Sequence, residues 1–208
     1  MPLDYDRLRN WQFPEIEQRL SPRDCILYAL GIGLGDDPLD RGQLRYLYEG
    51  EGFRAFPTLA TVLAYPGFWL KDPATGVDWV RVVHGEQSLS IHRPLPTGGR
   101  LLGRMRIAGI VDKGAERGAL LLVERRIYEA GSEEPLCTLR QTTVCRGDGG
   151  FGDRGDEAPT PHRLPEGPPQ AVCDLPTLPQ AALIYRLSGD DNPLHADPAV
   201  ARAAGYDR

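Results

Sequence analysis

Hydrophobic positions along the 208-residue chain change their period twice. Behind Ser21-Pro22-Arg23-Asp24, an apolar run from Cys25 to Leu30 predicts a helix. Ser21 caps it, Pro22 occupies the first helical position, Asp24 favours the positive end of the dipole, and Gly31, Gly33 and Gly35 end it. Phe56 to Leu70 is apolar nearly all round, and its first part predicts a buried helix stopped by Pro66-Gly67. From Val77 to Arg146 the texture turns to strands. Trp79–Val83, Ser88–His92, Leu101–Val111, Ala119–Tyr128 and Leu136–Cys145 are β-branched or alternating runs, divided by Pro96-Thr97-Gly98-Gly99 and Asp112-Lys113-Gly114. Sequential hairpins imply an antiparallel sheet, and a buried helix followed by such a sheet is an α+β arrangement. The lead-in through Trp11 and Phe13 and the charged, Tyr-rich stretch from Arg41 to Glu51 predict connections.

The C-terminal third divides again. Gly147 to Pro176 is dominated by glycine, proline and charge, cannot pack a core, and reads as a linker. Thr177-Leu178-Pro179-Gln180 repeats the capping device of Ser21-Pro22 and starts a helix that runs to Asp190. A short helix follows from Asp197 to Ala204, closed by Gly205.

Composition narrows the classes. Twenty-four Lys+Arg against 29 Asp+Glu, a net charge of −5, argues against a nucleic-acid surface or a polybasic membrane binder. Cys25, Cys137, Cys145 and Cys173 show no C-x-x-C spacing and no metal-site grouping with the four histidines, so packed, reduced thiols and no metal are expected. The acidic opening is no secretory leader, and Cys25–Leu34 is too short to span a bilayer, which points to the cytoplasm. Gly31-Ile32-Gly33-Leu34-Gly35 lacks the preceding strand, the following helix and the third glycine of a dinucleotide fingerprint.

The candidate chemistry lies in Tyr185-Arg-Leu-Ser-Gly-Asp190-Asp-Asn192-Pro193-Leu194-His195-Ala-Asp197-Pro198. Asp190 and His195, five residues apart across a turn broken by Pro193, are able to curl toward one point. A carboxylate and an imidazole sharing one water form the two halves of general acid–base catalysis. Asn192 carries a carbonyl and an amide suited to fixing that water or the His195 tautomer. The same residues are also ordinary turn and cap chemistry. The stretch has an echo upstream. Tyr28…Asp37-Pro38-Leu39-Asp40 repeats Tyr185…Asn192-Pro193-Leu194-His195, with Gly35 where Asp190 stands, which suggests a duplicated module whose first copy lacks the acid and the imidazole. His84 and His92 fall among the strands, where cross-strand polar pairing is the expected role.

The stretch from Tyr185 to Pro198, with its core Gly-Asp-x-Asn-Pro-x-His, resembles the signature of the MaoC-like dehydratases, the (R)-specific enoyl-CoA hydratases. Arg23–Gly33, Phe56-Pro57-Thr58, His84-Gly85-Glu86-Gln87 and Pro94-Leu95-Pro96 extend the likeness to the family's two-module members. The resemblance implies a double hot-dog fold in which the sheet wraps the Phe56 helix. It implies a non-catalytic module over 1–146, a linker over 147–176 and the start of a catalytic module over 177–208. Asp190 and His195 match the family's catalytic pair and Asn192 its supporting residue. The implied reaction is hydration of a trans-2-enoyl-CoA to the (3R)-hydroxyacyl-CoA, with the CoA thioester as substrate, no cofactor, and a homodimer as the assembly. Alternatives are hydration of a branched dicarboxylic acyl-CoA, or a non-catalytic acyl-CoA-binding or hetero-oligomer subunit. The family's second sheet and its oxyanion-binding glycine are expected beyond Arg208, so the sequence reads as a fragment. Arg81, Arg93, Arg100 and Arg104 are candidates for the CoA phosphates.

Overall fold

The computed structural model describes residues 3–152, 155–160, 163–190 and 192–207. Residues 153, 154, 161 and 162 of the expected linker, and Asp191 of the candidate turn, lie outside them. Five strands, β1 (Ile16–Leu20), β2 (Val82–Ile91), β3 (Gly99–Asp112), β4 (Ala119–Glu129) and β5 (Pro135–Cys145), form one sheet in the order β1-β3-β4-β5-β2. Every neighbouring pair is antiparallel. This is the α+β sheet of the expected hot-dog fold. Alternation sets its faces: along β4, Leu121, Val123, Arg125 and Ile127 are buried on the inner face, beneath the helices.

The lead-in holds a strand that was not expected. β1 shows alternation over only five residues, and Glu15 and Glu17 hold its outer side to Arg104 (2.6 Å) and Arg100 (3.5 Å) of β3. The two strands expected before residue 92 are one, β2, interrupted by a register shift between His84 and Glu86.

The longest helix is α2 (Pro22–Gly31). Its Asp24 carboxylate accepts from both the Ser21 backbone N–H (2.8 Å) and the Ser21 hydroxyl (2.7 Å), so the acid closes the first turn. Cys25, Tyr28 and Ala29 enter the core, the first two in a cluster with Leu59, Leu63, Leu101 and Ile127. A second cluster lies beyond it, around Leu8 of α1 (Tyr5–Arg9), Leu70, Ile110 and Leu121.

The helix expected from Phe56 is a single 3-10 turn, Pro57–Thr61. The Thr61 hydroxyl donates to the Thr58 carbonyl (2.8 Å), and the Arg125 guanidinium Nη2 takes the Thr61 carbonyl (2.6 Å), so the acceptors that would carry a helix onward are occupied. Ala64 then adopts a left-handed φ of 45°, its N–H donates to Gln18 Oε1 of β1 (2.6 Å), and its carbonyl lies against Gly103 of β3. The helix occupying this side of the sheet is therefore α2.

A four-residue helix, α3 (Arg41–Leu44), interrupts the stretch expected as a connection. Two short helices, α4 (Ala181–Tyr185) and α5 (Pro198–Ala203), frame the candidate turn. Thr177 is not the cap of α4; Gln180 takes that position and its carbonyl accepts from Ile184 (3.0 Å). Part of the expected linker is tied to the sheet: Asp112 accepts from Gly150 (2.8 Å) and Gly152 (2.7 Å), and Asp156 exchanges two hydrogen bonds with Ile110 (2.7 and 2.8 Å). Among the described residues no helix is long and apolar enough to cross a membrane.

Burial pushes the thiols of Cys25 and Cys137 up to about 11 and that of Cys145 to about 12, while Cys173 is exposed. A disulfide-exchange reagent should titrate one thiol in the native protein and all four after denaturation. A Cβ at position 103 would land on the Ala64 carbonyl oxygen, so Gly103→Ala should destabilise by about 1–3 kcal/mol, read as a lower denaturation midpoint with an unchanged slope.

Candidate functional site

The turn between α4 and α5 is built by short side chains that bond the backbone two residues onward. The Asn192 N–H donates to Asp190 Oδ1 (3.3 Å), the Leu194 N–H to Asn192 Oδ1 (3.2 Å), and the Ala199 N–H to Asp197 Oδ1 (2.8 Å). Pro193 starts a 3-10 turn over Pro193–His195, closed by the His195 N–H on the Asn192 carbonyl (3.2 Å). Gly189, with φ of 121°, turns the chain out of α4 toward Asp190. The Asn192 side-chain oxygen is engaged in the cap, which leaves its amide nitrogen as the group for water or for His195.

Asp190, Asn192 and His195 all line one cleft of about 480 Å³. Its other walls are the segment from Thr61 to Leu70 and the inner face of the sheet. The turn is docked to these walls through Tyr185. That ring lies 5.8 Å from the ring of Tyr28, and its Cα packs against Gly31 of α2, where a Cβ would come within 3.3 Å. Burial pushes the Tyr185 phenol up; the neighbouring Thr61 hydroxyl opposes the rise, and Tyr28 and the Asp190 carboxylate add to it.

The wall facing the turn carries polar groups whose place the sequence reading missed. His84 and Gln87 of β2, opposite Thr143 and Gln141 of β5, all line the cleft. Strict alternation would put residues 84 and 87 on opposite faces. The extra residue, Gly85, shifts the register, so that His84 and Gln87 share the inner face while Glu86 accepts from the Thr142 hydroxyl (3.1 Å). Gly85 fits because a Cβ there would come within 3.0 Å of Val144 Cγ2 and 3.2 Å of the Thr142 carbonyl. The glycine inside His84-Gly85-Glu86-Gln87 was the available signal. His92 behaves as expected, its Nε2 2.9 Å from the Thr138 hydroxyl across the strands.

The upstream echo holds in its hydrogen bonds. Leu39 N–H donates to Asp37 Oδ1 (2.9 Å) as Leu194 does to Asn192, and Asp40 N–H donates to the Asp37 carbonyl (3.2 Å) as His195 does to Asn192. α2 and α4 pack against each other. The four arginines considered for phosphates lie off the cleft, each paired with a carboxylate: Arg81 with Asp78 (2.6 Å), Arg93 with Glu129 (3.5 Å), and Arg100 and Arg104 as above. Among the described residues no group of three His, Cys, Asp or Glu side chains gathers where a metal ion would be held.

Residues 19–147 match the family described as the MFE-2 hydratase 2 N-terminal domain. The peroxisomal enoyl-CoA hydratase 2 of Arabidopsis thaliana is 37% identical over 218 residues, covering 98% of this chain and 70% of that protein. The 3-hydroxyacyl-thioester dehydratase Y of Mycobacterium tuberculosis is 36% identical, covering 89% of this chain and 63% of its own length. The crystal structure of a MaoC-like dehydratase from Phytophthora capsici superimposes with a TM-score of 0.81 at 31% identity, over 99% of this chain and 71% of that one.

Asn192→Ala should remove the cap on Leu194 and cost about 1 kcal/mol, whereas Asn192→Asp, which keeps the acceptor, should melt within a degree or so of the parent. Thermal unfolding followed by circular dichroism measures both.

Proposed function

The chain belongs to the MaoC-like dehydratases, in the family of the MFE-2 hydratase 2 N-terminal domain, and on that footing we propose that it hydrates trans-2-enoyl-CoA reversibly to (3R)-3-hydroxyacyl-CoA. The observation that carries this reading is that Asp190, Asn192 and His195 line one cleft together, on a turn fixed by its own side chains.

Asp190 and His195 hold one water between them, oriented by the Asn192 amide nitrogen. As the water oxygen bonds to C3 of the acyl group, one of the pair takes its proton. The C2–C3 π electrons move toward the thioester carbonyl, and the other member delivers a proton to C2. The charge passing onto the thioester oxygen requires an N–H donor aimed at it. No oxidation state changes beyond the addition of water, and the thioester itself acidifies C2, so the reaction needs neither a metal nor a redox cofactor. Both proton-handling groups sit on one wall, so hydroxyl and proton arrive on the same face of the double bond.

The assembly is a homodimer in this reading, supported by β2, an edge strand with no partner on its outer side among the described residues. The compartment is the cytoplasm, supported by four free thiols. The Arabidopsis relative is named as peroxisomal.

Loss of the enoyl-thioester absorbance on adding trans-2-enoyl-CoA tests the reaction. His195→Ala and Asp190→Asn should each lower kcat by roughly 10²- to 10⁴-fold. Acyl-CoA binding without turnover in the parent would instead support a non-catalytic acyl-CoA-binding subunit.

A further inference from the structure

Arg125 is unusual in this sheet because it points inward. It stands on the inner face of β4 between Val123 and Ile127, with only 7% of its surface exposed. Part of its guanidinium is spoken for. Nη2 donates to the Thr61 carbonyl (2.6 Å) and approaches that of Ala60 (3.5 Å), and Cζ lies 4.9 Å from the centre of the Tyr65 ring. Nη1 is buried and has no hydrogen-bond partner among the described residues. Burial pulls the group down to about 10, and the side chains acting on it electrostatically, the Tyr65 phenol and the Cys137 thiol, include no carboxylate. The outward-facing guanidiniums of the neighbouring positions meet an acid instead: Arg106, Arg126 and Arg140 converge on Glu124 at 2.9–3.1 Å.

Arg125 also borders a recess of about 10 Å³, close to the room one oxygen atom or water requires. Tyr65, Gln87, Met105, Val123 and Gln141 line both this recess and the main cleft, so the recess is an inner extension of the space that Asp190 and His195 face. A purely structural arginine, present to cap the 57–61 turn, would need Nη2 alone. Nη1 is a buried charged donor beside an acyl-sized cleft, and no acceptor among the described residues reaches it.

We propose that Arg125 is a specificity-determining residue, and that the acyl group this site prefers carries a carboxylate on the part remote from the thioester, received by Arg125 Nη1 in the recess. The inference rests on the hydratase reading and deepens it, since it selects dicarboxylic over plain acyl thioesters. The CoA portion is too large for the recess and stays outside, so only the acyl end reaches Arg125.

The test compares trans-2-enoyl-CoA esters of increasing length that end in a carboxylate with esters of equal length that end in a methyl group. At one length the ratio of kcat/KM, carboxylate over methyl, should exceed ten. Arg125→Met, close in volume, should lower that ratio at least tenfold, and Arg125→Lys should keep part of it. Each protein supplies its own reference substrate, so a general loss of stability cannot imitate the change in ratio. A ratio below one at every length, or one unmoved by Arg125→Met, overturns the proposal. Should the parent turn over neither series, the hydratase reading falls. Calorimetric affinities for the two series then give the same ratio and decide the Arg125 proposal separately.

Discussion

The segment from Pro57 to Tyr65 is the piece on which the rest of the arrangement depends, because it touches the sheet on one side and the candidate turn on the other. Its close approach to the sheet is possible only where β3 has no side chain, at Gly103. Gln18 from β1 and Arg125 from β4 then hold its backbone polar groups, which would otherwise be buried without partners. On the opposite side Thr61 and Tyr185 line the same cleft, and through Tyr185, packed near Tyr28, the turn bearing Asp190 and His195 is positioned over it. Remove the glycine contact and the cleft loses the wall that relates the turn to the sheet.

The turn itself needs little from the rest of the chain. Asp190, Asn192 and Asp197 each capture a backbone N–H two residues along, a local preference of short polar side chains that operates in any fold. The same devices at Asp37 and Asp40 build a second turn of like shape that offers no imidazole. The two turns thus share a backbone pattern while only one carries both an acid and a histidine. The scaffold is local and repeatable; the proposed chemistry is two side chains added to it.

This division explains what was legible in the sequence. The five-residue spacing of Asp190 and His195, the Pro193 break and the upstream echo are short-range features and could be read directly. Strands β3 to β5 were equally plain, being long and alternating. The Phe56 segment misled because an all-round apolar run has no period to distinguish a helix from a 3-10 turn wedged under a sheet. What stopped it there, Arg125 and Gly103, lies dozens of residues away. β1 was too short to declare its alternation. His84 and Gln87 were missed because their shared face comes from a bulge, and a single glycine in a strand signals a bulge without saying which way the next side chains turn.

The central claim is that Asp190 and His195 act together from one wall of the cleft on one water. The most direct measurement is the stereochemical course of hydration in D₂O, read by NMR from the coupling between the protons on C2 and C3 of the product. The account predicts that deuterium at C2 and the hydroxyl at C3 lie on the same face. Addition to opposite faces would contradict it, because no pair of groups on a single turn delivers both.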